Sequence, residues 1–89
     1  QSNLFAVKVI GPGMIEAGIM DGDVVIVERR DWAGDGDIVV AMVDGEVIVR
    51  TFYREPGRFR LQPANRLMSP VYVQQLSILG KVVACFRIY

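Results

Sequence analysis

An 89-residue chain allows one domain, and 52% hydrophobic residues give it enough apolar surface to build a core without covalent staples. Lys and Arg (10) balance Asp and Glu (10), so the chain lacks the basic excess that marks a nucleic-acid-binding face. It has no histidine and a single cysteine, Cys85, which excludes within this chain a disulfide framework, a zinc cluster and any triad built on histidine; no metal or cofactor is expected.

In chain order, Gln1-Ser2-Asn3 resembles the scar of a tag-removal protease, so residues 1–3 are set apart and residues 4–89 are read as the domain. Leu4 to Ile10 reads as a strand that ends at Gly11-Pro12-Gly13. Met14 to Ile19 is long enough for one helical turn. Asp21-Gly22-Asp23 is a turn, Val24 to Glu28 a strand, and Asp31 to Asp37 a polar loop around Trp32. Ile38 to Val43 and Glu46 to Tyr53 flank Asp44-Gly45, a strong hairpin signal because both central residues of a type I′ turn need positive φ. Glu55-Pro56-Gly57 turns the chain into Arg58 to Leu61. Pro63 to Pro70 is irregular; Val71 to Val73 and Leu76 to Ile88 supply the last strands, with Gly80 a bulge or bend. The fold expected is all-β, a partly closed barrel or folded sheet with one short helical turn. No apolar run approaches the ~18 residues of a membrane span. Nor is there a signal peptide at the start, and a lone cysteine fits a reducing compartment, so a cytoplasmic location without membrane contact is expected.

The stretch from Val9 to Asp23, with Gly11-Pro12-Gly13-Met14, then Gly18-Ile19 and Gly22-Asp23, resembles the nucleophile region of the LexA/UmuD self-cleaving peptidase family, V-x-G-x-S-M-x-x-x-G-I-x-x-G-D. Asp37 to Arg50 is similar to that family's G-D-I-V-V-A-x-x-D-G-E-x-T-V-K. Leu61-Gln62-Pro63-Ala64-Asn65 with Pro70, and Ile78-Leu79-Gly80-Lys81-Val82-Val83, resemble its L-x-P-x-N and I-x-G-x-V-V segments. The match runs in order along nearly the whole chain. It implies a LexA/signal-peptidase-like fold and the C-terminal domain of a LexA-like transcriptional repressor of the SOS type. It further implies a homodimer, a RecA filament as partner, and DNA contacted through a missing N-terminal domain and not through this fragment.

Two departures bear on activity. By the resemblance, the nucleophilic serine position holds Gly13 and the general-base lysine position holds Arg50, 37 residues on. Gly13 has no side chain to attack with. Arg50 keeps its proton in proteins and cannot act as base. The oxyanion-hole position falls on Pro12, which has no N–H; one lost donor of this kind lowers the rate on the order of a hundredfold. Met14 is the motif neighbour. Pro12-Gly13 also suits the centre of a type II turn, with Gly13 at positive φ. These changes point to a domain without autoproteolytic activity. The alternative is an active or deliberately inactivated Ser-Lys autopeptidase; a relative of signal peptidase is disfavoured by the absent anchor.

Elsewhere, Arg50 reads either as a solvent-exposed strand end or as paired with an acid in the vacated pocket. Ser69 and Ser77 are not placed beside Lys8 or Lys81, so no relocated dyad is expected. Arg54, Arg58 and Arg60 read as a solvated face, alternatively as a weak anionic contact. Cys85 reads as a core residue. The final strand is expected at a sheet edge, where Val82, Val83, Ala84, Phe86 and Ile88 would pair with a second copy about a two-fold axis.

Overall fold

Short β-branched runs, each closed by a Gly, Asp or Pro turn, fold into one seven-stranded antiparallel sheet in a computed structural model that describes residues 3–89. The strands are β1 (Leu4–Lys8), β2 (Val24–Arg29), β3 (Ile38–Val43), β4 (Glu46–Glu55), β5 (Arg58–Gln62), β6 (Val71–Val73) and β7 (Ser77–Phe86). A single 3-10 turn, Ile15–Ala17, stands where one helical turn is expected and ends on Gly18 at φ 81°. Of the presumed scar, Gln1 and Ser2 lie outside the described residues; the Asn3 carbonyl accepts the Arg29 N–H at 2.8 Å and so extends the β1–β2 ladder. Among the described residues no helix is long and apolar enough to cross a membrane.

The β3–β4 hairpin forms as its turn chemistry requires, with Asp44 at φ 51° and Gly45 at φ 80°. β4 runs two residues past Tyr53, because Thr51 to Glu55 pair with Gln62 to Arg58 in β5. β1 ends at Lys8, yet Val9 still donates to the Asp23 carbonyl and accepts from the Gly22 N–H, both at 2.8 Å.

The strand order is β1-β2-β7-β3-β4-β5-β6, which corrects the edge placement of the last strand. β7 lies inside the sheet, with β2 on one side and β3 on the other. Its pairing with β3 stops at Lys81, however, so from Val82 to Phe86 the strand pairs with β2 alone. Register slips opposite Ile26/Val27 and Val40/Ala41 leave Val83 and Leu79 without direct partners, one bulge on either side of Gly80. A side chain at Gly80 would collide with the Glu28 carbonyl oxygen, so glycine is what lets β2 approach this point.

The sheet folds over itself and buries both faces of β3. Val39 and Val40, adjacent in sequence, are both fully buried but belong to different clusters. One cluster joins Val40 to Val9, Met14, Ile19, Val25, Val27 and Val49; the other joins Val39 to Ala41, Phe52 and Leu61. The unbroken apolar run of β3 is the sequence mark of a strand covered on both sides.

Candidate functional site

The site grows from the turn after β1. Gly11 takes φ 88° and its N–H donates to Asp21 Oδ1 at 2.6 Å. This reverses the chain into Pro12. The left-handed residue of the turn is therefore Gly11 and not Gly13, which has no positive φ; the expected type II turn centred on Pro12-Gly13 is not formed. Asp21 decides between the two glycines by capturing the Gly11 N–H.

The irregular segment after β5 clamps this loop from outside. Asn65, 6% exposed, donates Nδ2 to the Pro12 carbonyl at 2.8 Å, while its Oδ1 accepts the Leu67 N–H at 2.9 Å. The Glu16 N–H donates to the Ala64 carbonyl at 2.7 Å, and the Glu16 carboxylate accepts from the Arg66 backbone and Nε at 3.0 and 2.9 Å. Those bonds to Arg66 hold the Glu16 carboxyl below its ordinary pKa. Met14 is fully buried beneath, its sulfur 3.4 Å from the Ala64 nitrogen. The sequence motif includes Asn65 but assigns it no role, because its partner lies 53 positions away.

Against the inner side of the loop stands Arg50, in β4. A Cβ built on Gly13 would lie 2.6 Å from Arg50 Cζ and 2.9 Å from Nη2, so the guanidinium fills the volume a side chain at position 13 would need. Arg50 Nη1 donates to the Val49 carbonyl at 2.7 Å. Neither sequence reading of Arg50 holds. Its head is half-buried and not in solvent, and among the described residues no carboxylate comes within ion-pair distance. Burial pulls its pKa below the ordinary arginine value, and the group remains a cation at neutral pH.

The fold thus brings Arg50 against the consecutive residues Pro12, Gly13 and Met14, although nothing local in the sequence joins it to them. Beside them opens a cleft of about 190 Å³, walled by residues 7–10, Gly13, Met14 and residues 47–50. Two backbone edges border it. β1 pairs only with β2, and β4 joins β5 only from Thr51 onward.

Of the residues expected to pair with a second copy, Val82 packs against the core, whereas Val83 (50% exposed), Ala84 and Phe86 (46%) in β7 and Ile88 (78%) just beyond it are exposed, away from this cleft. A second buried centre, which the sequence reading missed, lies at the end of β7. Asp23 is 1% exposed and accepts from Arg87 Nε and Nη2 at 2.7 and 2.9 Å and from the Met20 N–H at 2.7 Å. The Arg87 bonds, then the Met20 bond, bring its carboxyl down to about 2. In sequence, Asp21-Gly22-Asp23 reads only as a turn. Cys85 is exposed, contrary to a core placement, with Sγ 3.6 Å from Asp23 Oδ2; burial of the sulfur, then the nearby carboxylate, raises its pKa. Arg58 and Arg60 bond Glu55 at 2.8 and 2.7 Å and stack on Tyr72 and Tyr53, while Arg54 lies over Phe59. That face is structured and not merely solvated.

Residues 1–83 match the family described as Peptidase S24-like. Over 87 residues the chain is 53% identical to the LexA repressor of Staphylococcus carnosus, which covers 97% of this chain and 42% of that protein. It is 48% identical over 88 residues to the LexA repressor of Clostridium perfringens (99% and 43%) and 52% over 87 residues to that of Acetivibrio thermocellus (97% and 41%). The chain therefore spans about two fifths of the length of the curated relatives it matches.

Proposed function

The chain belongs to the Peptidase S24-like family, and from that premise we propose that it is the non-cleaving, dimerising domain of a LexA-like repressor. The observation that carries this reading is the contact between Gly13 and Arg50. By the resemblance these are the nucleophile and base positions, and they do meet. What meets there is a residue without a side chain and a cation that cannot accept a proton. Pro12, with no N–H to offer a developing oxyanion, adds a third obstacle. Asn65 holds the Pro12 carbonyl, so the loop is fixed as a structural element.

The free half of β7 supports dimerisation. From Val82 to Phe86 one edge of the strand carries unpaired backbone groups, and exposed Val83, Phe86, Ile88 and Tyr89 stand beside it. A bare apolar edge is a template for pairing, and a two-fold axis would satisfy two such edges at once. DNA binding belongs to the whole repressor, through a domain outside this chain. A RecA filament as partner rests on the resemblance alone.

The test of the first part is incubation of the chain, alone and with a supplied linker peptide, at pH 7 and at pH ~10 where a catalytic lysine would be neutral. Mass spectrometry should find no fragments; site-specific cleavage would refute the reading. For the second part, sedimentation at micromolar concentration should give twice the chain mass. Val83→Lys with Phe86→Lys should give a folded monomer. Ala84→Pro is the poorer probe, because Ala84 is paired with Ile26 inside the sheet.

A further inference from the structure

We propose that the outer face of β4, β5 and β6 docks an acidic segment of a partner protein, with Arg58 and Arg60 each taking one of two carboxylates that the segment carries at alternate positions. None of the residues that build this face lines the cleft beside Gly13, so it acts whatever happens there.

The strand register separates the two sides of the sheet. Phe52 stands opposite Leu61, and Phe59 opposite Val73; these four belong to one core cluster or pack against it. The residues that alternate with them, Tyr53, Glu55, Arg58, Arg60 and Tyr72, therefore face outward. Arg54, opposite Phe59, belongs to the other side. Tyr53, Arg60 and Tyr72 lie directly across from one another in a single row over three strands, and Arg58 faces Glu55 in the next row. Arg58 and Tyr72 are each about half exposed.

What sets Arg58 and Arg60 apart is not the lack of an acid but the sharing of one. Glu55 accepts from Arg58 Nε at 2.8 Å through one carboxylate oxygen and from Arg60 Nε at 2.7 Å through the other. The two cations thus meet at one carboxylate and keep a net positive charge. Lys81, Arg30, Arg66 and Arg87 each hold a carboxylate of their own. Arg60 Nη1 donates to Gln62 Oε1 at 2.8 Å, which leaves, among the described residues, both Nη groups of Arg58 and Nη2 of Arg60 free for a further acceptor. Each guanidinium also lies on a tyrosine ring, Arg58 3.9 Å from the centre of Tyr72 and Arg60 4.2 Å from that of Tyr53. Glu55 and the rings fix both forks before a partner arrives, so little side-chain freedom is lost on docking. Tyrosine and arginine are also the residue types that carry much of the energy of protein interfaces.

The chemistry of the partner follows from charge and spacing. Arg58 and Arg60 leave one strand two residues apart, a rise of about 6.8 Å. Carboxylates at alternate positions of an extended chain have the same spacing and point to one side, whereas adjacent ones point to opposite sides. The face therefore selects Glu-x-Glu over Glu-Glu.

The experiment is NMR titration of the unmodified chain with two capped pentapeptides of equal composition and charge, AEAEA and AAEEA. AEAEA should bind roughly fivefold tighter at low salt, the size of one well-formed exposed ion pair. Both affinities should fall in ~0.5 M salt. The Arg58 and Arg60 Nε resonances should move, and those of Arg50 and Arg87 should stay in place. Arg58→Gln and Arg60→Gln should each abolish the preference for AEAEA, and Tyr72→Leu should weaken it. All three positions point outward, so amide resonances of the core strands should be unchanged in the variants. Equal affinities, no binding, shifts at other arginines instead, or a preference that survives Arg58→Gln with Arg60→Gln would each overturn the proposal. Decathymidylate bound as tightly as AEAEA would also overturn it, since the face would then take any polyanion.

Discussion

Arg87 and Arg50 both lean on the loop region between β1 and β2, and the molecule treats them in opposite ways. Arg87 ends on the buried carboxylate of Asp23 with two bonds, at 2.7 and 2.9 Å, and bonds the Gly18 carbonyl at 3.3 Å as well. Arg50 ends on a glycine and a backbone carbonyl. In the first centre every charge has an internal partner, so the ion pair is part of the fold: it ties the end of β7 to the turn before β2. In the second centre a half-buried cation is left without an acid, which contributes nothing electrostatic to folding and leaves a charge facing a cleft. Stability should therefore depend on Asp23 and be almost indifferent to Arg50.

The strongest way to break that contrast is Asp23→Ala. It strips the acceptor from Met20 N–H and from both Arg87 donors, leaving a backbone N–H and a guanidinium without their partner. Urea unfolding should show a larger fall in midpoint than any other single substitution at the two centres, or no cooperative transition at all. Arg87→Gln should be milder, since Asp23 keeps the Met20 bond. Arg50→Gln should lie within about 0.5 kcal/mol of the parent. A large loss in Arg50→Gln would mean that its guanidinium is structural after all.

The same contrast has a pH signature. The folded Asp23 carboxyl titrates at about 2, below the ~3.9 of a free aspartate. Its contribution is therefore complete above pH ~4 and is lost as pH falls from there towards 2, where the folded carboxylate takes up its proton. Arg87→Gln should flatten this part of the acid limb; the lowered carboxyls of Glu16, Glu28, Asp37 and Glu55 supply what remains. Arg50 is a cation throughout that range, so Arg50→Gln should leave the limb's shape unchanged. Thermal midpoints measured between pH 2 and 6 for the three proteins would show this.

What the sequence disclosed follows the same division. The Asp44-Gly45 hairpin was legible because its turn demands positive φ at two adjacent residues, a requirement carried by those residues alone. The unbroken run Ile38 to Val43 announced a strand, but not that Val39 and Val40 would serve different clusters. Gly11-Pro12-Gly13 offered two glycines for one left-handed position, and the deciding contact comes from Asp21, ten residues on. β7 is last in the chain but interior in the sheet, because strand order is settled by pairing between distant segments. The site positions came from an ordered match along the chain. Their contact, the Asn65 clamp and the missing acid beside Arg50 belong to tertiary structure.

On the cleft side, stability should reside in the clamp. Asn65→Ala removes the donor to the Pro12 carbonyl and the acceptor of the Leu67 N–H, at a buried position. Losing partners of buried polar groups costs about 1–3 kcal/mol. Chemical denaturation should report a loss in that range, well above the effect of Arg50→Gln; equality of the two would erase the distinction between the clamp and the cation on the other side of the loop.

The most specific effect expected concerns the fit of Gly13 to Arg50. Gly13 is not in a left-handed conformation, so its backbone accepts a serine; only the guanidinium is in the way. Because that obstacle is the end of a flexible side chain, Gly13→Ser should cost about 1 kcal/mol, at the low end of overpacking. Arg50→Lys alone should be close to neutral, and it removes the planar head from the space the serine needs. The double variant should therefore recover most of the loss, a coupling of about 1 kcal/mol between residues in contact. Additive effects would show that Arg50 does not occupy the serine's place. The double variant also separates packing from chemistry. It restores a hydroxyl and a titratable amine, yet position 12 still has no N–H, so stability should return while linker cleavage stays absent or slow. Adding Pro12→Ala supplies that donor, and a rise in cleavage on the order of a hundredfold should follow.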